Sequence, residues 1–420
     1  MSCTKAVLAV AILLLGLVPA VAADQPRRLL ILHSFGPQFA PFNGFSGRFR
    51  QELARGSPRP LALTDVSLEA VRATGAGGER AILDYLRALF PQTPPDLMVT
   101  IGGPAALFVE AHRAEIFPAA PLLLTAIEAR RVDPAHLGGR DVVAAHVVDV
   151  PAIVNTILEV QPGVREVLVV LGASPLERMW RGFAEQDLAE FAGQLRFLWT
   201  NELDFGAILA RVAALPADAA VVYGLMLVDA SGVPFEEDQA LAAIAASSAV
   251  PVYGVFDSQV GRGLVGGRLL PVGEMATRSA QAGLRLLAGE APSDVSVPDV
   301  VAGPPTFDSR QLLRFGIADD RLPPGSRILF RQPTAWDHYR WSILAALALC
   351  LVQTAFIAGL ALSRRRLRRS EAALTASEGR LRETAGEARD FATRLIRAQE
   401  DERARLGREL HDDITQRLAV

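Results

Sequence analysis

A stretch of 21 uncharged residues, 342–362, constrains this chain more than any other feature. As an α-helix it is about 32 Å long, which matches the hydrocarbon core of a bilayer. Trp336, Tyr339 and Trp341 precede it, and five arginines follow it between residues 364 and 369. Aromatic side chains are typical of the membrane interface, and clustered arginines mark the cytoplasmic side. The pattern predicts one transmembrane helix, whereas a buried globular helix would not need two such different flanks.

The amino terminus has the composition of a secretory signal. Residues 1–23 carry one cation, Lys5, then an uncharged run and small residues at 20–23. This order predicts a signal peptide, either cleaved or kept as an anchor. Residues 24–335 would then be periplasmic, and the chain would cross the bacterial inner membrane once with its carboxyl end in the cytoplasm. The charge distribution agrees, since residues 364–420 hold 14 arginines against 11 acidic residues.

Composition excludes several classes of protein. Half of the residues are apolar and 21% are charged, which is incompatible with a disordered chain. The net charge of -3 gives no reason to expect nucleic-acid binding. The cysteines, Cys3 and Cys350, both lie outside the exported region, and the histidines lack metal-ligand spacing, so we expect no disulfide and no metal site. Lys5 is the single lysine, which excludes a Walker phosphate loop.

The exported region alternates short β-branched runs with amphipathic helical patterns. The predicted strands are 28–33, 97–101, 121–127, 166–171, 195–199, 220–225 and 250–256. The predicted helices are 79–90, 104–116, 152–160, 175–192, 205–214, 236–247 and 272–288. Such alternation predicts an α/β fold with parallel sheets, and two series predict two lobes, about 27–145 and 146–270. Helix 272–288 can return to either lobe, and residues 300–335 are expected to form a stalk.

Ligands of open α/β sheets bind beyond the carboxyl ends of the strands. Counting strand ends gives a set of candidate ligand-binding residues: Ser34, Phe35, Gly102, Gly103, Glu128, Ser174, Tyr223 and Asp257. Gly102 and Gly103 precede a helix whose amino terminus could hold an anion. The glycines could instead only make a tight turn, and Glu128 and Asp257 could be exposed loop carboxylates.

Three segments of the exported region resemble a known kind of sensor. They are LLILHSFGPQFAPFNGF, TIGGPAALF and FDSRQLLRFGIADDRLPPGSRILFRQP. They look like the sensor regions of some bacterial membrane kinases, which are similar to the solute-binding components of ABC transporters. The resemblance covers about residues 27–335. It implies a type I periplasmic-binding-protein-like fold, in which two lobes close on a small molecule by a hinge. The ligand itself cannot be carried over.

The cytoplasmic tail has a leucine repeat. Leu367, Leu374 and Leu381 recur every seven residues, and Leu395 closes the series. This spacing predicts a thin two-stranded coiled coil over 364–398, and hence a homodimer. The alternative is a lone amphipathic helix lying on the inner leaflet.

The last 22 residues, QEDERARLGRELHDDITQRLAV, carry the most specific motif. Residues 399–420 closely resemble the start of the dimerisation and phosphoacceptor domain of a histidine-kinase family. That family pairs with response regulators carrying helix-turn-helix output domains. Its H-D-x-x-x-Q pattern matches His411, Asp412 and Gln416. A lone histidine on an amphipathic helix is otherwise usually a surface residue.

The resemblance implies a role for each of these side chains. His411 would be the phosphoacceptor, since imidazole is mostly neutral at pH 7 and one ring nitrogen can attack the γ-phosphoryl group of ATP. Asp412 would act as general base or orienting group, and Gln416 would position a water that dephosphorylates the response regulator. ATP with Mg²⁺ would be bound by a catalytic domain that this sequence does not contain, so the chain itself is expected to bind no cofactor.

These features predict the sensor portion of a two-component histidine kinase. The rival interpretation is a membrane-tethered periplasmic solute receptor without kinase activity of its own. A chemoreceptor would need a longer cytoplasmic coil, and a transport component would not need the membrane helix and its arginines.

Overall fold

A computed structural model describes residues 25–36, 42–69, 76–332 and 335–417. The chain divides into two compact units, residues 1–331 and residues 332–420. The first unit contains two lobes, each built on its own sheet. The α/β class with two parallel sheets, predicted from the sequence, is therefore confirmed. The predicted signal peptide, residues 1–23, lies outside the described residues.

The first lobe is built on a five-stranded parallel sheet with the order β2-β1-β3-β4-β5. The strands are β1 (Arg27–His33), β2 (Leu61–Ser67), β3 (Leu97–Ile101), β4 (Leu122–Glu128) and β5 (Asp141–His146). Every residue of β3 and β4 is buried, as expected for strands covered on both faces. The unbroken runs LMVTI and LLLTAIE show this directly in the sequence.

Helices cover both faces of this sheet. They are α1 (Phe42–Gly56), α2 (Ala76–Leu89) and α3 (Gly103–His112), which follow β1, β2 and β3. One face packs against α1, through Phe45 and Phe49, and the other packs against α2 and α3. The apolar residues of each helix recur at helical spacing, so each helix buries one stripe against the sheet.

The second lobe has a seven-stranded sheet with the order β12-β11-β10-β9-β8-β6-β7. Its strands are β6 (Glu166–Leu171), β7 (Arg196–Trp199), β8 (Ala219–Leu225), β9 (Val252–Gly254), β10 (Gly266–Gly267), β11 (Thr306–Asp308) and β12 (Arg327–Leu329). Only the β10–β11 pair among these is antiparallel. Its helices are α4 (Val150–Val160), α5 (Pro175–Asp187), α6 (Phe205–Ala213) and α7 (Glu237–Ser247).

Helix α8 (Val272–Leu287) returns to the first lobe. It packs along α1, and its Met275, Ala276 and Ala280 join the core that contains Phe45. The sequence left the choice of lobe open, because an apolar stripe does not show which surface covers it.

The expectation of a stalk at residues 300–335 is wrong, because residues 306–329 complete the second sheet. Strands β11 and β12 lie within this range, and the short helix α9 (Ser309–Arg314) comes between them in the chain. Phe307 has no exposed surface and packs in the core with Tyr253 and Val265. Gly266 permits this pairing, since a Cβ there would lie 2.1 Å from the carbonyl oxygen of Thr306.

The chain therefore passes between the lobes three times. The first passage follows β5, the second precedes α8, and the third follows Val300, which pairs with His146 at the end of β5. There the amide of Val147 donates to the carbonyl oxygen of Val300 at 2.9 Å. Parallel connecting segments of this kind can act as a hinge between two rigid lobes.

The second unit contains the 83-residue helix α10 (Ala335–Arg417). Among the residues that the structure describes, one helical segment is long and apolar enough to cross a membrane, and it starts at Tyr339 within α10. Leu367, Leu374 and Leu381 are all exposed on α10. The backbone at His411, Asp412 and Gln416 is helical, and their side chains lie outside the described part of the structure.

Candidate ligand-binding site

A cavity of about 110 Å³ lies between the two lobes. It lies next to the carboxyl ends of strands from both sheets, as expected for open parallel sheets. The lining residues that end or follow a strand are Phe35, Gly103, Glu128 and His146 in the first lobe, and Leu171, Leu225 and Phe256 in the second. The lobes thus share this site.

Most of the lining is apolar. Phe42 from α1 and Trp180 from α5 face it, together with Val150 and Ile153 of α4. Trp180 also packs against core residues of both lobes, so it belongs to the contact that brings them together. A cavity of this composition favours a ligand with a hydrocarbon or aromatic body.

Three of the predicted ligand-binding residues line this cavity, namely Phe35, Gly103 and Glu128. Two others support its wall. The Ser34 hydroxyl is buried and accepts a hydrogen bond of 2.9 Å from the amide of Ala105 at the start of α3. Gly102 has a φ of 90°, and a Cβ there would lie 2.7 Å from the Ser34 hydroxyl oxygen. Both shape the turn into α3.

The remaining three, Ser174, Tyr223 and Asp257, do not line the cavity. Ser174 caps α5 in a reciprocal capping box with Glu177. The Tyr223 hydroxyl is buried and donates to the carbonyl oxygen of Glu237 at 3.2 Å. The Asp257 carboxylate accepts a hydrogen bond of 3.0 Å from the amide of Val272, at the start of α8. Their polar groups are used inside the fold.

Arg131 lines the cavity, although strand counting does not identify it. It follows β4 in a short 3₁₀ turn, and its guanidinium lies on the backbone of Gly103. A Cβ at Gly103 would be 1.8 Å from Nη1 of Arg131, so only glycine admits this contact. Burial lowers the pKa of Arg131, against the attraction of Glu128 and Glu110.

Arg130, next to it, joins the two lobes. Its Nε donates to the buried Glu128 carboxylate at 2.8 Å. Its Nη1 donates to both carboxylate oxygens of Asp187, at the end of α5, at 3.0 Å each. The guanidinium carbon also lies 4.6 Å from the ring centroid of Phe183. Burial opposes the charge, but the bonds to Glu128 and Asp187 outweigh it and raise the pKa of Arg130.

The Arg130–Asp187 contact can be weakened without exposing Glu128. We expect Asp187→Asn to raise the equilibrium ratio of open to closed arrangements by up to about five-fold, because a half-exposed ion pair contributes about 0.2–1 kcal/mol. Spin labels at Ala135→Cys and Glu190→Cys, with the native cysteines replaced, would report the distance between the lobes.

The matched control for this measurement is Glu185→Gln on the same helix. Glu185 accepts a hydrogen bond from Arg181 of its own lobe, so its loss should leave the interlobe distances unchanged. Added salt should lengthen the distances in the unsubstituted protein and have little effect on Asp187→Asn. Identical distributions in Asp187→Asn and the unsubstituted protein would contradict a role for this ion pair in closure.

His146, at the end of β5, gives the cavity a neutral polar group. It is 3% exposed, and burial lowers its pKa to about 4, so the imidazole is uncharged at pH 7. Its Nδ1 has no hydrogen-bond partner among the described residues. Nearby Ala126 also lines the cavity and has a φ of 52°, at the bulge in β4. Such strain is typical of functional sites.

Across the described ranges, no group of three histidine, cysteine or acidic side chains could hold a metal ion.

Comparisons with known proteins identify the fold but no family. No protein-family description matches the sequence, and no curated protein matches it. Among solved structures, the chain is similar to the ABC domain from Streptococcus pneumonia in complex with L-Trp, with a TM-score of 0.52 and 15% identity. That match covers 72% of this chain and 100% of the other.

A conserved domain protein from Vibrio cholerae is equally similar, with a TM-score of 0.52, 15% identity and the same coverage of 72% and 100%. A substrate binding protein with adhesive properties from Clostridium difficile, in its ligand-free open form, has a TM-score of 0.49 and 13% identity over 73% of this chain and 100% of its own. The described lobes share the fold of the L-Trp-bound domain, which is a parallel-sheet α/β fold of the periplasmic-binding-protein type.

Proposed function

We propose that this chain is the sensor portion of a two-component histidine kinase that detects a small periplasmic solute. The observation that carries the sensing role is the cavity between the lobes, lined from both of them at the ends of their parallel strands. A solute enclosed there contacts both lobes at once, so it favours the closed arrangement over an open one. The similar domain bound to L-Trp supports a solute of small-molecule size.

The signalling role rests on the resemblance of residues 399–420 to a phosphoacceptor domain. One ring nitrogen of His411 would attack the γ-phosphorus of ATP, forming a P–N bond as the bond to ADP breaks. Asp412 would take or orient the proton of the other ring nitrogen. Gln416 would orient the water that later removes phosphate from the response regulator. ATP and Mg²⁺ would come from a catalytic domain outside this sequence.

The helix α10 would connect these two roles. Its apolar start would cross the inner membrane, and its leucine repeat would pair with that of a second copy. Closure of the lobes would shift or rotate α10 and so change the packing around His411. This requires that the solute bind the closed arrangement more tightly than the open one.

Disulfide trapping between tail helices tests this coupling. In membranes, with Cys3 and Cys350 replaced by alanine, we expect Leu374→Cys to crosslink two copies. Phenylacetate is the probe, because it is a small apolar acid whose carboxylate can pair with Arg131 in the cavity, and we expect it to change the crosslinking rate by several-fold. The effect of phenylacetate on crosslinking is measured only after a rise in the melting temperature of the protein has shown that phenylacetate binds. Ala376→Cys, about 200° around the helix, is the control and should crosslink slowly.

An unchanged crosslinking rate in a probe-saturated receptor would contradict the coupling. Solute binding together with an inert tail would instead favour the rival function, a membrane-tethered solute receptor.

A further inference from the structure

The charged groups around the cavity decide which kind of solute it can take. Among the lining residues, those with ionisable side chains are Glu128, Arg131 and His146. The three side chains differ in charge and in whether they are already paired within the protein. Together they favour a negatively charged ligand over a positively charged one.

Glu128 is not available to a ligand. Its side chain has no exposed surface, and Arg130 occupies both carboxylate oxygens, one through Nε and one through its amide, each at 2.8 Å. A ligand ammonium group would therefore find no accessible carboxylate among the described lining residues. Leaving such a cation unpaired in an apolar cavity is costly.

Arg131 has the opposite character. It makes no hydrogen bond or ion pair with any residue that the structure describes, although it is half-buried and lines the cavity. A guanidinium in an apolar setting gains most from a bidentate anionic partner. The start of α3, on which it lies, adds positive potential.

His146 supplies a second polar contact without adding charge. Its unpartnered Nδ1 is buried in the cavity wall, and the imidazole is uncharged at pH 7. As a neutral group it can accept or donate one hydrogen bond, depending on its tautomer. Because His146 is uncharged, Arg131 remains the cationic side chain of the described lining.

We infer that the cavity binds a small monocarboxylate with an apolar aryl or branched-alkyl body and no free ammonium group, with the carboxylate on Arg131. This inference rests on the proposed solute-binding role and names its ligand class. The apolar side chains, such as Phe42, Val150 and Trp180, would enclose the body. A free α-amino acid would place its ammonium group where no carboxylate is accessible, so it should bind more weakly than the matching acid.

Binding of matched probes to the full chain in lipid nanodiscs tests the ligand class. The aromatic probes are phenylacetate, phenylacetamide, phenethylamine and L-phenylalanine, and the alkyl pair is 3-methylbutanoate with its amide. We expect one or both acids to bind at least about ten-fold more tightly than the amide, the amine or the amino acid, because each of these lacks the carboxylate or adds an unpaired ammonium.

Variants of Arg131 test the assigned contact. Arg131→Gln should weaken binding of the acid by about 10-fold to 100-fold and leave the amide unchanged. Arg131→Lys should restore part of the loss, since it keeps the charge without the bidentate geometry. Arg140→Gln is the control, because Arg140 is exposed and does not line the cavity.

The outcomes separate this inference from the proposed function. Equal binding of an acid and its amide, tighter binding of L-phenylalanine, or an unchanged affinity in Arg131→Gln would overturn the ligand class while solute binding stands. Absence of binding by every probe at millimolar concentration would also overturn it. Tight acid binding without any change in tail crosslinking would support the ligand class and contradict only the signalling proposal.

Discussion

Replacing Phe307 with alanine should lower the free energy of unfolding of the two-lobed unit by about 3–5 kcal/mol. The side chain has no exposed surface, and it lies on β11, between β10 and β12 in the second sheet. Its removal would leave a cavity against Tyr253 and Val265 that the close β10–β11 pairing prevents from collapsing. Cavity formation adds to the lost burial of the ring.

Urea unfolding of the full chain in detergent, followed by tryptophan fluorescence, would measure this loss. Trp180 and Trp199 lie in the second lobe and report its unfolding. The control is Leu313→Ala on α9, because Leu313 is 82% exposed and its loss should change stability by less than about 0.5 kcal/mol. If residues 300–335 were only a stalk, Phe307→Ala and Leu313→Ala would unfold alike.

Replacing His411 with glutamine should abolish phosphorylation of the receptor. Glutamine keeps a polar side chain of similar length but has no ring nitrogen to attack the γ-phosphoryl group. The gene would be expressed in its native context, in which the proposed kinase would supply the catalytic domain. Membranes would then be incubated with radiolabelled ATP and Mg²⁺, and phosphate that is labile to acid but stable to base would be counted.

His136→Gln is the matched control for this experiment. His136 is a highly exposed histidine of the first lobe, and its replacement should leave labelling unchanged. Gln416→Ala should still be labelled but should slow dephosphorylation of the response regulator. Full labelling of His411→Gln would refute the phosphoacceptor role, and the same weak labelling of all variants would favour the receptor without kinase activity.

Elements that bury long apolar runs were predictable from the sequence. The predicted strands 97–101 and 166–171 coincide with β3 and β6, and predicted helix 272–288 with α8. Helix α1 was missed, because its three glycines weaken the helical pattern. Strands β2 and β5 were also missed, as were β10, β11 and β12, of two or three residues each. Such short strands have no periodicity of their own, and their partners in the sheet hold them.

Among the residues that line the cavity, the sequence likewise identified some and missed others. Counting strand ends found Glu128 but also selected Tyr223, whose neighbours Val222 and Gly224 line the cavity in its place. Side chains alternate across a strand, so an error of one residue moves the choice to the opposite face. Arg131 comes from a 3₁₀ turn, where no periodic pattern indicates the direction of a side chain.

The sequence alone determined the two-lobed parallel architecture and the apolar segment before the arginines, because hydrophobic runs and charge clusters are local properties. It also supplied the H-D-x-x-x-Q motif, on which the signalling proposal depends. Only the tertiary structure decided that residues 306–329 complete the second sheet, that α8 returns to the first lobe, and that Arg130 is paired while Arg131 is not. Those outcomes depend on contacts between residues far apart in the chain, which no local pattern specifies.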